Sequence, residues 1–312
     1  GYVYLWRGNG KVAIDYFEKL VLEYPQTMEF YIALAQSYLQ ENELKKARIA
    51  LRSSLKIDSA NRVANQLLQQ SYAVAAPLEL DVWGGYSKIE DMGKFKMRTV
   101  QLTGQIAPKL RMFLKYDNSL TLDLPSLVRS NQEAQAFSIG AVVPWSRRLT
   151  SRLEYGTRLL PDNVTQQVVS TEQVYFFREK LSLKAGGFVA PSNKLPTEWL
   201  AYGSLRVPIS SFYALEPYIF YAKVENAANP ERRFMLNNQL RTAHGYELNL
   251  GAFLGKAGVG ADAEKDGIYG AYATGVLPVS QAVWGQFSLR WEQAGVDEIL
   301  AFALGLKLRL EK

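Results

Sequence analysis

The chain has 312 residues, with 36 Lys and Arg against 30 Asp and Glu, a single His and a formal net charge of +6. There is no cysteine, which excludes a disulfide framework and a thiolate metal site, and the positive surplus is spread along the chain rather than gathered in the basic run of a nucleic-acid binder. Mean hydropathy is −0.13, and no apolar run reaches the roughly 18 residues of a membrane-spanning helix, which leaves open a membrane-spanning sheet whose alternating faces average near zero.

Residues 1–76 carry an internal repeat. Tyr4, Gly8, Ala13, Phe17, Leu20 and Pro25 recur 34 positions on as Tyr38, Asn42, Ala47, Leu51, Ser54 and Ser59, and a third copy begins with Leu68 and Tyr72. The second unit also holds Tyr31, Leu34 and Ala35. Helical stripes agree with the repeat: Ile14, Phe17, Leu20, Val21 and Tyr24 fall on one face, as do Leu44, Ala47, Ala50, Leu51 and Leu55. Gly8-Asn9-Gly10 breaks the first helix pair, and Pro25 closes it. The pattern resembles the tetratricopeptide repeat, which implies stacked helix pairs. On that phase Gly1 falls inside the first helix of a unit, and further repeats are expected before it. The resemblance implies a groove for a protein partner on the first-helix residues Glu29, Ile32, Gln36, Leu39 and Gln40; the alternative is that the helices only cap the C-terminal part of the chain.

Residues 73–77, Ala-Val-Ala-Ala-Pro, form a short joint. Beyond it the spacing changes from 3.6 to 2. Leu110, Met112, Leu114 and Tyr116 alternate with Lys109, Arg111, Phe113 and Lys115. Leu149, Leu153, Tyr155 and Leu159 alternate with Thr150, Arg152, Glu154 and Arg158. Leu181, Leu183, Ala185 and Val189 alternate with Lys180, Ser182, Lys184 and Phe188. Val283, Phe287, Leu289 and Trp291 alternate with Trp284, Gln286, Ser288 and Arg290, and Leu300 to Leu310 alternate with small and basic residues. Strands of about nine to twelve residues match a tilted bilayer crossing, whereas strands of a soluble sandwich run about 5–6. No open sheet edge survives in lipid, so the sheet must close.

Short turns are expected at Ala107-Pro108, Val143-Pro144-Trp145, Arg178-Glu179, Val207-Pro208, Gly255-Lys256 and Leu277-Pro278. Longer loops are expected near 117–134, 160–167, 190–197, 225–244 and 293–298. Residues 77–312 therefore read as a transmembrane antiparallel β-barrel of 14 strands, with 12 as the alternative, following the short α-solenoid in an α + β multidomain chain. Trp145, Trp199 and Trp291 fall near strand ends, where interfacial aromatics sit.

Catalytic chemistry finds no constellation. His244 stands alone in a loop, Gly8-Asn9-Gly10-Lys11 lacks phosphate-loop spacing, and Glu79 with Asp81 read as wall lining. No enzymatic activity, cofactor or metal is expected. Strand parity turns Lys109, Arg111, Lys115, Arg152, Arg158, Lys180, Lys184, Arg206, Arg290, Lys307 and Arg309 inward, with Glu79, Asp81, Asp117, Glu154 and Glu292 as the anions. Two readings remain: a mutually neutralised polar plug, or a wet passage biased toward anionic or polar cargo.

Tetratricopeptide units ahead of a C-terminal barrel are similar to the exopolysaccharide-export outer-membrane proteins and to the smaller YaiO-type barrels. That resemblance implies a bacterial outer-membrane component of an envelope export system, with its helices in the periplasm recruiting protein partners, its wall in outer-membrane lipid and a polysaccharide as cargo. The alternative is a plugged barrel anchoring a larger envelope complex.

Overall fold

The computed structural model describes residues 1–73, 77–89, 93–107, 110–119, 133–146, 148–177, 181–225, 229–242, 244–256, 267–280, 282–294 and 297–310. Lys109 and Lys180, both expected inside the barrel, lie outside them. Among the described residues, five helices precede fourteen strands.

The helices are α1 (Tyr2–Trp6), α2 (Gly10–Glu23), α3 (Met28–Gln40), α4 (Leu44–Ile57) and α5 (Arg62–Ala73). Gly8 turns the chain between α1 and α2 with φ 76°, a left-handed conformation that costs a glycine nothing. Asn42 makes the equivalent turn between α3 and α4 with φ 59°, 34 positions on; Asn is the residue that best tolerates this region after Gly. Asn9 caps α2 by accepting the Val12 amide. Ala13, Phe17, Ala35, Ala47, Leu51 and Leu68 are wholly buried where the helices meet. The small alanines let the backbones approach, and Phe17, Leu51 and Leu68 fill the space between them.

One buried cation ties α4 to α5. Arg48 is fully buried; its Nε donates to Ser71 Oγ at 3.1 Å and its Nη2 to the Ser71 carbonyl at 2.7 Å. Hydrogen bonds to a charged donor contribute about 1.5–3 kcal/mol each. Arg48→Ala is therefore expected to loosen α5 from α4 by about 2–4 kcal/mol, read as accelerated proteolysis confined to residues 44–73 of the full chain. Cleavage at the wild-type rate would contradict this.

The strands are β1 (Leu78–Ile89), β2 (Gly93–Ala107), β3 (Leu110–Asp117), β4 (Gln135–Pro144), β5 (Leu149–Leu160), β6 (Val164–Phe176), β7 (Ser182–Ala190), β8 (Glu198–Pro208), β9 (Tyr213–Val224), β10 (Glu231–Arg241), β11 (Glu247–Lys256), β12 (Gly267–Pro278), β13 (Val283–Ala294) and β14 (Asp297–Leu310). Each pairs antiparallel with its sequence neighbours, and β1 pairs with β14 to close the ring, Leu78 opposite Leu310 and Glu79 opposite Arg309. The count of 14 matches the sequence expectation.

Alternation decides which face is which. In β14, Leu304 is 56% exposed while Ala303 beside it is 2% exposed. Leu78, Val82, Val100, Leu102, Leu114, Ile139, Leu153, Val169, Leu183, Ile219, Leu250 and Leu254 are exposed in the same way around the cylinder. Such a continuous apolar outer band is the surface that lipid covers. Trp145 sits outside at the rim nearest the helices, and Trp199 and Trp291 sit outside at the opposite rim. Trp199 lies tilted beside Tyr221 and Trp291 edge-on to Tyr269, with ring centroids 5.2 and 5.7 Å apart.

Three expectations about connections are corrected. Residues 225–244 are not one long loop, because β10 occupies 231–241 within it. Its sequence, ERRFMLNNQLR, puts only Phe234, Leu236 and Leu240 on the outer face as large apolar residues, between Arg232 and Asn238, so the alternation is faint. Gly255-Lys256 is not a turn but the end of β11, because Gly255 and Lys256 pair with Arg233 and Arg232. The connection 160–167 is also shorter than expected, since β6 already begins at Val164.

Candidate functional site

The candidate site is the inner wall. Strand parity turns Arg111, Lys115, Arg152, Arg158, Lys184, Arg206, Arg290, Lys307, Arg309, Glu79, Asp81 and Glu154 toward the axis, as each alternates with an exposed apolar neighbour. The structure adds Arg233 and Arg241 as cations, and Glu172, Glu198, Glu216, Glu231 and Glu247 as anions. With Asp117 and Glu292, eleven cations face ten anions among the described residues. The sequence alone sets eleven cations, Lys109 and Lys180 included, against five anions; among the described residues the two signs nearly balance. Arg233, Arg241, Glu231 and Glu247 escape a sequence reading because their strands border or fill the expected loop. Glu172, Glu198 and Glu216 have the right parity and are found by extending the alternation through β6, β8 and β9.

These charges meet along the wall. Glu79 bridges Arg111 at 3.1 Å and Arg309 at 3.2 Å, and Asp81 meets Lys307 at 3.6 Å. Lys115 pairs with Asp117 at 2.6 Å and Arg152 with Glu154 at 3.3 Å, each two residues apart on one strand. Arg158 reaches Glu198 at 3.2 Å, Lys184 reaches Glu216 at 3.3 Å, and Arg241 reaches Glu247 at 2.7 Å. Arg233 pairs with Glu231 and, at 3.5 Å, with Glu292, which also holds Arg290. Arg206 Nε donates to Gln239 at 2.8 Å, and the Tyr202 hydroxyl donates to Glu172. Each of these contacts joins strands no more than three apart in a ring of fourteen, where seven would be opposite. They are links around the circumference.

Aromatic rings lie on the same wall, and glycines make room for them. Phe113 is paired across strands with Gly140, Tyr202 with Gly186, Tyr272 with Gly251, Trp83 with Gly305 and Phe253 with Gly270. A Cβ on any of these glycines would overlap the ring opposite. Each ring therefore leans over the bare backbone of the neighbouring strand. The Arg152 guanidinium lies 4.3 Å from the Phe113 centroid, Arg158 4.9 Å from Phe188 and Arg309 4.6 Å from Trp284, cation–π contacts of a kind that fixes both partners. The sequence shows these residues but not their pairing, which depends on the register between strands.

Three of the five helix residues expected to form a partner groove lie together. Gln36, Leu39 and Gln40 line a cavity of about 560 Å³ with Leu5, Trp6 and Leu67, and Gln40 Nε2 donates to the Leu5 carbonyl at 2.9 Å. Ile32 instead packs against the helical core, and Glu29 is exposed in the first turn of α3. Nearby, the Tyr38 hydroxyl donates to Glu18; burial first, then that carboxylate, pushes its pKa above the usual phenol range. Among the described residues no group of acidic, His or Cys side chains is placed to hold a metal ion.

No protein-family model matches the chain, and no curated protein matches its sequence. Solved structures do match its fold. One is described as the CymD monoaromatic hydrocarbon channel, with a TM-score of 0.54 and 8% identity over 78% of this chain and 91% of that one. Another is described as a bacterial polysaccharide outer membrane secretin, with a TM-score of 0.50 and 12% identity over 76% of this chain and all of that one. The fold is that of an outer-membrane β-barrel of the channel and porin kind.

Proposed function

We propose that the protein is an outer-membrane channel that passes an extended, hydroxyl-rich chain such as a polysaccharide, with its helices on the periplasmic side offering the cavity at Gln36, Leu39 and Gln40 to a protein partner. The single observation that carries this reading is that the charged and aromatic side chains lie along the wall. A plug needs side chains that meet across the axis; rings leaning over glycine and ion pairs closed between nearby strands keep to the periphery. Eight strands are filled by their own side chains and about 16–18 leave an aqueous channel, so fourteen strands with such a lining suit a narrow bore.

The chemistry of the lining fits sugars. Flat rings offer π faces to the C–H faces of a pyranose, and carboxylates and guanidinium groups exchange hydrogen bonds with its hydroxyls. The near balance of charge among the described wall residues suits a cargo that is not strongly ionic. The fold shared with a polysaccharide secretin and the resemblance of the helices to tetratricopeptide repeats point the same way. The helices share a rim with the C-terminal ends of β4, β8, β10 and β12, each of which is four or five residues short of the next strand, and short connections belong on the periplasmic side of such barrels.

Single-channel recording in planar bilayers tests this. The expected result is discrete openings with nearly equal cation and anion permeability, interrupted in a concentration-dependent way by added neutral oligosaccharides. Openings blind to every sugar would refute the cargo. A barrel that never opens would favour a structural anchor, a reading that rests on Trp284: this inward residue near the helix-side rim is buried in one cluster with the helical core.

A further inference from the structure

We infer that a glycerophospholipid of the periplasmic leaflet is held in a cleft between helix α5 and the outer wall of the barrel. The cleft encloses about 1190 Å³, larger than the roughly 300–1,000 Å³ of pockets for small metabolites. One side is formed by Leu240, Leu248, Leu277 and Phe287, whose strand parity places them on the lipid-facing surface of β10–β13. Phe212 and Tyr246, at the adjoining turns, extend this apolar wall to the rim. Over it stand Arg62, Asn65 and Gln66, from the first two turns of α5.

The arrangement has the polarity of a phospholipid. The apolar wall is continuous with the band that lipid already covers, so acyl chains enter it without leaving their leaflet. Arg62 is an exposed cation at the polar edge of that wall, where the phosphate of a lipid with its chains in the cleft would sit. Asn65 and Gln66 supply neutral amide donors beside it. Arg241, also at this edge, is already matched by Glu247 at 2.7 Å, which leaves Arg62 as the phosphate partner. The bound lipid would bridge the helical segment and the barrel rim. This inference rests on the membrane face of the barrel and on the proposed periplasmic side of the helices, not on what passes through the bore.

The test uses the full chain, delipidated in mild detergent and titrated with phosphatidylglycerol, phosphatidylethanolamine or lipopolysaccharide, with adducts counted by native mass spectrometry. A one-to-one adduct with the two glycerophospholipids is expected. Arg62→Glu should weaken it at least tenfold, and Gln66→Trp, which fills the cleft, should do the same. Leu289→Trp, on the membrane face outside the cleft, should leave it unchanged. Heat-dependent electrophoretic mobility confirms that each variant keeps its barrel. No adduct, equal retention by Arg62→Glu and Gln66→Trp, or a preference for lipopolysaccharide would each overturn the inference. Conductance reads the bore and adduct formation reads the outer rim, so one can fail while the other stands.

Discussion

Glu79→Ala is expected to cost about 3–5 kcal/mol of barrel stability, the range for breaking a largely buried ion pair by removing one partner. Glu79 stands between Arg111 of β3 and Arg309 of β14. Their side chains are 23% and 3% exposed, and that of Glu79 is 12% exposed, so bulk water screens none of the three well. Alanine removes the carboxylate and leaves two guanidinium groups near one another without the charge between them. Glu79 is also paired with Arg309 in the ladder that closes the ring, so the damage falls on the seam. Urea unfolding from phospholipid vesicles, followed by tryptophan fluorescence, measures the loss. A change below about 1 kcal/mol, the size of an exposed pair, would mean that the inner wall is wet enough to screen this contact.

Leu304→Arg is expected to cost about 2–4 kcal/mol, the penalty for a cation on the lipid face near the bilayer midplane. Leu304 lies in the middle of β14 and is 56% exposed to what surrounds the cylinder. Thr274→Ser, on the inward face of β12, should be nearly neutral because the hydroxyl that accepts from Asn249 at 3.3 Å is kept. The same unfolding experiment in vesicles reads both. If Leu304→Arg were harmless, the apolar band would not face lipid, and the membrane placement of the barrel would fail with it.

Much of this fold is legible in the sequence because both of its halves are periodic. The 34-residue recurrence of Gly8 and Asn42 marks the same left-handed turn twice. The leucines of β14 mark a strand whose faces cannot be exchanged, since a shift of one residue would turn every leucine inward. Where the pattern is faint, legibility fails. β10 puts Arg232 and Asn238 on the outer face beside its few apolar residues, and that is enough to hide a strand and the charged wall residues in and beside it. The near balance of the described wall charges is hidden for that reason and through the glutamates of β6, β8 and β9. The seating of Phe113 on Gly140 or Tyr272 on Gly251 is out of reach for a different reason. Each pair joins two strands, and only the register brings its members face to face.

The pairing of β1 with β14 also dictates an order of assembly. Leu78 and Leu310 are neighbours in space and 232 positions apart in the chain, whereas every other adjacent pair of strands is joined by a local connection. Hairpins can therefore form early and singly, but the last hydrogen-bonded ladder cannot begin until the final strand has been synthesised. Until then both terminal strands present unsatisfied amides that hydrocarbon will not tolerate. Insertion into the bilayer must accordingly wait for β14 or proceed with those two borders shielded by something else.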